Sequence, residues 1–184
     1  MSKYYLVHAV RDPEPKKILK ILKDGYLYAS SYSKQYGIFY GEYLDYVYFS
    51  LLGDSFVLPT SLATFILSTN VLYKRSFRYA LTWAGNEIQN TTKVNYRYDN
   101  VYQILDKINK HIVYTNKYNI HNNIGSHEIL LKKKVNLHNY LVAICCGTHF
   151  TPEIIKYINQ NYPNVKIINK IPKSAHDFNV IINP

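Results

Sequence analysis

Three short stretches of the sequence combine reactive side chains with strand-like surroundings. They are Val7-His8-Ala9, Tyr46-Val47-Tyr48-Phe49-Ser50 and Ser126-His127-Glu128-Ile129-Leu130-Leu131. Glu128 is the most informative residue, because a carboxylate that opens an otherwise apolar strand needs a reason to be there. A solvent-facing strand end would be an ordinary reason, just as His8 could be a structural histidine and Tyr48 a core tyrosine. The alternative is that the three stretches form one site.

The elements that would position these residues follow from the hydrophobic pattern. Apolar, β-branched and aromatic runs predict strands at residues 4–10, 46–51, 63–67, 128–131, 140–146, 165–168 and 178–182. Helices are predicted to begin after Asp12, Asp99 and Thr151, and Gly25 fits the end of the first. Residues 30–45 and 114–126 have the composition of loops, and residues 73–98 are predicted to be a loop with short extended pieces. This order indicates a mixed α+β protein with more strand than helix.

In this order, the three stretches resemble the ADP-ribosyltransferase fold. The similarity is to its His–Tyr–Glu branch, which includes diphtheria-type toxins and poly(ADP-ribose) polymerases. Members carry a His on an early strand, then a helix leading to a Gly-Leu-like extended piece, a strand of the Ile-Tyr-Phe-Ala kind, and a Glu opening a late strand. After that Glu, polymerases tend to have three apolar residues, a few others and then Val-x-Leu-x-x-Tyr-Leu. Here Ile129-Leu-Leu and then Val135-Asn-Leu-His-Asn-Tyr-Leu are similar to it.

The resemblance covers about residues 4–146 of the chain. It implies one α+β domain over residues 1–184, built as a pair of small facing β-sheets with a cleft between them and helices on the flanks. It also implies NAD as the donor substrate and transfer of ADP-ribose to a macromolecular acceptor.

The resemblance assigns a role to each matching residue. Cleavage of the bond between nicotinamide and ribose builds positive charge on the ribose, as in glycoside hydrolysis. Glu128 matches the carboxylate that stabilises this charge and can bind a hydroxyl. His8 matches the residue that hydrogen-bonds the adenosine-side ribose, and Tyr48 matches the ring that stacks on nicotinamide.

Neighbouring positions extend the predicted NAD site. Tyr46, Tyr48 and Ser50 share one face of a strand, so Tyr46 could take the place of Tyr48, and Ser50 could lie near the carboxamide. In the family, the backbone after the His usually holds that carboxamide, often at a Gly. Here the residue is Ala9, and a backbone contact tolerates Ala where φ is ordinary.

The charge of the chain favours a polyanionic partner. With 22 Lys and Arg against 12 Asp and Glu, the formal net charge is +10. Basic residues alternate with tyrosines between 73 and 98, a pattern that suits stacking on bases and equally suits ordinary surface packing. The predicted acceptor contacts, with nucleic acid slightly favoured over protein, are Lys74, Arg75, Arg78 and Arg97.

Two other functions fit the same residues. A non-catalytic basic module could bind nucleic acid or a protein partner without NAD. The RNA 2′-phosphotransferases share the fold and use NAD, but they hold a phosphate with Arg and His rather than relying on a late Glu. Arg75 and Arg78 are candidates for such phosphate contacts, so this second function is left open.

Several classes of protein are not expected. The sequence contains no run of 18 apolar residues, so no membrane span is predicted. The first residues lack a signal-peptide cleavage site, and a cytoplasmic protein is therefore expected. Adjacent Cys145 and Cys146 rule out a disulfide framework, and with His149 they do not have the spacing of a zinc site. No metal is therefore expected. The oligomeric state is left open.

Overall fold

The computed structural model describes residues 2–10, 13–33, 44–56, 63–82, 87–118, 127–145 and 150–183. Its strands are β1 (Tyr5–Val10), β2 (Tyr26–Tyr28), β3 (Tyr46–Leu52), β4 (Ala63–Ser68), β5 (Phe77–Ala80), β6 (Thr92–Val94), β7 (Glu128–Lys132), β8 (Lys134–Asn136), β9 (Leu141–Cys145) and β10 (Lys166–Ile168). Its α-helices are α1 (Pro15–Asp24), α2 (Ser30–Ser33), α3 (Val101–Lys117), α4 (Leu137–Tyr140), α5 (Pro152–Asn161) and α6 (Ala175–Ile182). Short 3₁₀ segments lie at Thr69–Tyr73 and Ile88–Asn90.

Eight strands form one large sheet in the order β10-β9-β4-β1-β3-β7-β5-β6, and β2 pairs with β8 in a separate ribbon. The pairings within the large sheet are antiparallel except that between β9 and β10. The mixed α+β class predicted from the sequence is confirmed.

The large sheet divides at β3, which changes partner along its length. Its last residues, Ser50 to Leu52, pair with Val7 to Tyr5 of β1. Its first residues pair instead with β7, from Tyr46↔Lys132 to Phe49↔Ile129. The described ladder between β1 and β3 therefore stops at Val7, and β1 continues through His8–Val10 along β4 alone. The two halves of the sheet separate beside His8.

One side of the sheet, called here the core face, carries the main apolar core. Buried strand residues such as Leu6, Phe49 and Ile129 pack there with buried residues of α1, α3 and α5. Ile18 of α1 and Leu105 of α3 are fully buried in this cluster. Three helices thus cover the core face and pack against the strands beneath them.

The other side, called here the second face, is covered in part by α6. Val7, Ile66 and Ala143 line this face and pack against Phe178 of α6. By strand alternation the same face carries Tyr48 and its neighbours farther along the sheet.

Two helices begin later than the sequence predicts. Pro15 disfavours helical backbone at the residue before it, so Glu14 is extended and α1 begins at Pro15 rather than after Asp12, which lies outside the described residues. At α3 the cap is Asn100, whose side chain accepts a hydrogen bond from the amide of Gln103 at 3.1 Å, rather than Asp99. The other end of α1, at Gly25, is as predicted, with φ of 70°.

The prediction of a strand at residues 178–182 was wrong. Ser174 accepts a hydrogen bond from the amide of Asp177 at 3.1 Å and starts α6. Ala175 and Phe178 then fall three residues apart on the buried side of this helix, and a short apolar run does not distinguish the two structures.

Helical pieces also lie within the predicted loops. Residues 30–33 form α2, and α3 continues to Lys117. Of the adjacent cysteines, Cys145 is buried on β9, and Cys146 lies outside the described residues together with His149.

A buried amide ties α3 to the end of β3. Asn109 accepts a hydrogen bond from the amide of Asp54 and donates one to its carboxylate, each at 2.8 Å. The Asn109 side chain lies directly against the Cα of Gly53, where a Cβ would collide with its amide oxygen and lie 3.3 Å from Tyr4. The carbonyl of Gly53 in turn accepts the amide of Ala175 at 2.6 Å, so this residue links β3, α3 and α6.

We expect Gly53→Ala to lower the free energy of unfolding by about 1–3 kcal/mol, because the added methyl group must displace Asn109. Urea unfolding measures the change. The control is Ser76→Ala at an exposed position, which should stay within about 0.5 kcal/mol of wild type. Equal stability of the two variants would contradict the close packing at Gly53.

Candidate active site

The site begins where the two halves of the sheet separate. His8 on β1 reaches towards β3, and its Nδ1 lies 2.8 Å from the carbonyl oxygen of Tyr48. Its ring also packs against Phe49, with 5.7 Å between the ring centres. A side chain therefore joins the two strands just beyond the point where their backbone pairing ends.

This hydrogen bond sets the protonation state of His8. A carbonyl only accepts, so Nδ1 carries the proton and, in the neutral ring, Nε2 is left as an acceptor. Burial lowers the pKa of His8 below its ordinary value, and the positive charge of Lys17 on α1 lowers it further, while the bond to Tyr48 acts in the opposite direction. At neutral pH, His8 is an uncharged ring that can accept a hydrogen bond from a ligand hydroxyl.

Tyr48 links His8 to the predicted carboxylate. Burial raises the pKa of the Tyr48 phenol well above its ordinary value, and the negative charge of Glu128 raises it further. Tyr48 pairs with Leu130, and Glu128 lies two residues before Leu130 on the same face of β7. Tyr46 pairs with Lys132 and so lies farther from Glu128 than Tyr48 does.

Small residues flank the carboxylate. Glu128 pairs with Ala80 of β5 on one side. On the other side, two residues along β3 from Tyr48, lies Ser50, whose side chain is partly exposed and shares the face of Tyr48. A methyl group and a hydroxymethyl group leave more room around Glu128 than the apolar side chains common elsewhere in the sheet. Ala9, paired with Thr64, lies on β1 next to His8.

His127 fixes the start of β7, a role that the sequence did not suggest. Its buried ring accepts a hydrogen bond at Nε2 from the amide of Leu51, at 2.6 Å. This bond joins the residue before Glu128 to the part of β3 that pairs with β1. The only available signal was its position next to Glu128, since a lone His in a polar stretch is not typical of any one role.

A 3₁₀ segment packs over the neighbouring part of the second face. Ile88 packs against the buried Leu130 and Ala80, as Tyr46 and Tyr48 do. Its backbone carbonyl accepts a hydrogen bond from Nη2 of Arg78 at 3.3 Å.

Arg78 also bonds to the residue that follows this segment. It donates from Nε to Oγ1 of Thr91 at 2.6 Å, and from Nη2 to the carbonyl of Thr91 at 3.1 Å. Arg78, predicted as an acceptor contact, thus holds a segment that packs, like Tyr48, against Leu130 and Ala80.

The other three predicted acceptor contacts lie in different settings. Arg75 donates to the carbonyls of Lys134 and Lys132 at 2.5 and 2.6 Å, and so braces the turn between β7 and β8. Arg97 is exposed and lies against the ring of Tyr96, to whose hydroxyl it donates at 3.1 Å. Lys74 is exposed at the end of a 3₁₀ segment. Contact with an acceptor stays a prediction for all four basic residues.

The described residues contain neither a metal-binding cluster nor a membrane-spanning helix. No group of three His, Cys, Asp or Glu side chains in those ranges has the arrangement of a metal site. None of the helices described is long and apolar enough to cross a bilayer.

Sequence comparison places the chain in a family. Residues 1–108 match the model of a family of unknown function, DUF5846. The chain belongs to this family. It is 58% identical over 183 residues to Uncharacterized protein L54 of Acanthamoeba polyphaga mimivirus, with 99% of each chain covered. It is 50% identical over 103 residues to Uncharacterized protein L28 of the same virus, covering 55% of this chain and 97% of the relative.

Structural comparison identifies the fold of this DUF5846 protein. It is similar to Thermus sp. 2.9 DarT in complex with NAD+, with a TM-score of 0.58, 14% identity and coverage of 92% of this chain and 97% of the other. It is also similar to that protein in complex with ADP-ribosylated ssDNA, with a TM-score of 0.59, 14% identity and coverage of 90% and 94%. The ADP-ribosyltransferase-like fold expected from the sequence is confirmed.

We expect His8→Asn to remove one component of the pH dependence of stability. The Asn amide can still donate to the Tyr48 carbonyl, but it does not titrate. In the wild type, the folded pKa lies below the ordinary value of 6.5, so the unfolded chain takes up a proton first and stability falls as pH drops below about 6.5.

Urea unfolding of both proteins between about pH 7.5 and about pH 5.5 measures this difference. The free energy of unfolding should fall more steeply in the wild type than in His8→Asn. Because the other histidines are shared, the difference between the two curves isolates His8. Parallel curves would contradict a lowered pKa at this position.

Proposed function

We propose that this protein is an NAD-dependent ADP-ribosyltransferase whose catalytic carboxylate is Glu128. The observation that carries the proposal is the position of Glu128 beside Tyr48, on a sheet face next to the opening between β1 and β3. The fold supports it, because a similar fold belongs to DarT in a complex with NAD+.

The residues around the opening fit NAD. His8 offers an acceptor nitrogen for a ribose hydroxyl, and Tyr48 offers an aromatic ring beside a carboxylate. Ser50 and the backbone at Ala9 are proposed to receive the carboxamide, with Tyr46 farther along the same face. Lys17 brings a positive charge close to His8, which suits a ligand that carries a pyrophosphate.

The chemistry requires little more than a well-placed negative charge. The bond between the ribose C1′ and the nicotinamide nitrogen breaks, nicotinamide leaves with the electron pair, and C1′ bonds to an acceptor atom that gives up a proton. Glu128 stabilises the positive charge that develops on the ribose as this bond breaks. Tyr48 keeps its proton, so its ring faces the ligand without adding negative charge of its own.

Nucleic acid is the acceptor class that we propose. The net charge of +10 favours a polyanion over an average protein surface. A DarT structure of similar fold is a complex with ADP-ribosylated ssDNA. Lys74, Arg75, Arg78 and Arg97 remain the proposed contacts, and a guanidinium that already binds backbone carbonyls still has other N–H donors to offer.

We expect Glu128→Gln to reduce nicotinamide release from NAD by on the order of 100-fold or more while the fold is retained, because the amide is isosteric but uncharged. Labelled NAD is incubated with the pure protein, with single-stranded DNA, RNA or cell lysate, and both nicotinamide release and label transfer are measured. The matched control is Glu153→Gln on the exposed side of α5, which should behave as wild type.

Two results would contradict the proposal. One is unchanged turnover in Glu128→Gln. The other is a wild-type protein that releases no nicotinamide under any condition and whose melting temperature does not rise with NAD, which would favour the non-catalytic binding module.

A further inference from the structure

The exposed side of α3 carries an unusual combination of side chains. The surface called here the tyrosine–lysine face consists of Tyr102, Lys107, Lys110, Tyr114, Lys117 and Tyr118. At 100° per residue these positions occupy one side of the helix, opposite the buried Leu105, Ile108 and Ile112.

The tyrosines of this face are open to solvent. Their exposed fractions are 49% for Tyr102, 55% for Tyr114 and 56% for Tyr118. The rings of Tyr114 and Tyr118 lie 4.8 Å apart, and the ammonium of Lys117 is 5.5 Å from the centre of the Tyr118 ring. A scattered exposed tyrosine needs no explanation, but a row of three along one helix with lysines between them indicates a binding surface.

The one acidic residue within this side of α3 is already neutralised. Asp106 accepts from Lys110 at 2.8 Å, from Lys3 at 3.1 Å and from the Tyr4 hydroxyl at 2.9 Å. These hydrogen bonds lower the pKa of the Asp106 carboxyl below its ordinary range, and the bond from Lys110 has the largest effect. The face as a whole is therefore positive.

The surface extends beyond the helix. The ammonium of Lys3 also lies 5.5 Å from the centre of the Tyr102 ring. Tyr73, 44% exposed, lies in the neighbourhood of Tyr102, and Lys74 follows it in the chain. Between Tyr102 and Tyr118, sixteen residues of helix span roughly 24 Å, enough for several nucleotides of an extended strand.

We propose that the tyrosine–lysine face binds single-stranded nucleic acid, with bases stacking on the tyrosines and phosphates neutralised by the lysines. A protein partner suits this face less well, because protein interfaces are enriched in tyrosine but depleted in lysine. α3 packs on the core face, and the side chain of Glu128 belongs to the second face, so this surface and Glu128 lie on opposite sides of the sheet. The inference goes beyond the proposed transferase activity and does not require it.

Fluorescence anisotropy with a labelled single-stranded oligonucleotide of about twenty nucleotides tests the proposal, with probes of mixed-sequence DNA and RNA. We expect the wild type to bind, and Tyr114→Ala/Tyr118→Ala to weaken binding by about tenfold or more. Both side chains are exposed, and alanine favours helix, so the variant should fold. The matched control is Val180→Ala/Ile181→Ala, which removes exposed apolar side chains from α6 and should leave binding unchanged.

Salt dependence gives a second readout. Lys107→Gln/Lys117→Gln should reduce the slope of log affinity against log salt by about 1.4, as expected for two lost contacts to single-strand phosphates. Lys156→Gln/Lys173→Gln, at exposed positions elsewhere, should not change the slope. Circular dichroism checks that each variant is folded.

Three outcomes would overturn the proposal. They are no binding by the wild type at low salt, binding that is unaffected by Tyr114→Ala/Tyr118→Ala, and a wild-type dimer that these substitutions convert to a monomer, which would make the face a contact between copies. Failure of the transferase proposal is seen separately, because Glu128→Gln should keep full oligonucleotide binding and Tyr114→Ala/Tyr118→Ala should keep full nicotinamide release.

Discussion

The structure depends on the change of partner along β3. A strand can pair with one neighbour on each edge, and β3 uses β1 for its last residues and β7 for its first. This arrangement separates the two halves of the sheet beside His8. The hydrogen bond from His8 to the Tyr48 carbonyl and the bond from the Leu51 amide to His127 hold the strands around the separation.

The same geometry accounts for the electrostatics of the site. The backbone carbonyl of Tyr48 bonds to a neutral imidazole on one strand, its phenol interacts with a carboxylate on another, and burial keeps that phenol protonated. The carboxylate of Glu128 has small neighbours at Ala80 and Ser50. These features concentrate negative charge on one side chain, which suits a reaction whose substrate becomes positive as a bond breaks.

Basic residues serve two different purposes in this protein. Arg75 and Arg78 hold backbone segments around the sheet, and a guanidinium is suited to this because its planar donors can bond to two carbonyls together. The lysines of α3 are directed to solvent among exposed tyrosines. Net charge alone does not separate these roles, so the candidate nucleic-acid surface on α3 was not evident from composition.

The sequence by itself determined the mixed α+β class and six of the ten strands described, because β-branched and aromatic runs with Gly, Pro and Asn boundaries are local signals. It also determined that Glu128 begins a buried strand and that Gly25 ends α1. Helix starts were less certain: Asn100 rather than Asp99 caps α3, since neighbouring residues offer equivalent side-chain oxygens and only the folded backbone selects one. Tertiary structure alone decided that residues 178–182 are helical, that His127 bonds to β3 and that Arg78 holds a backbone segment. These choices depend on contacts between residues distant in sequence, and a local pattern contains no information about them.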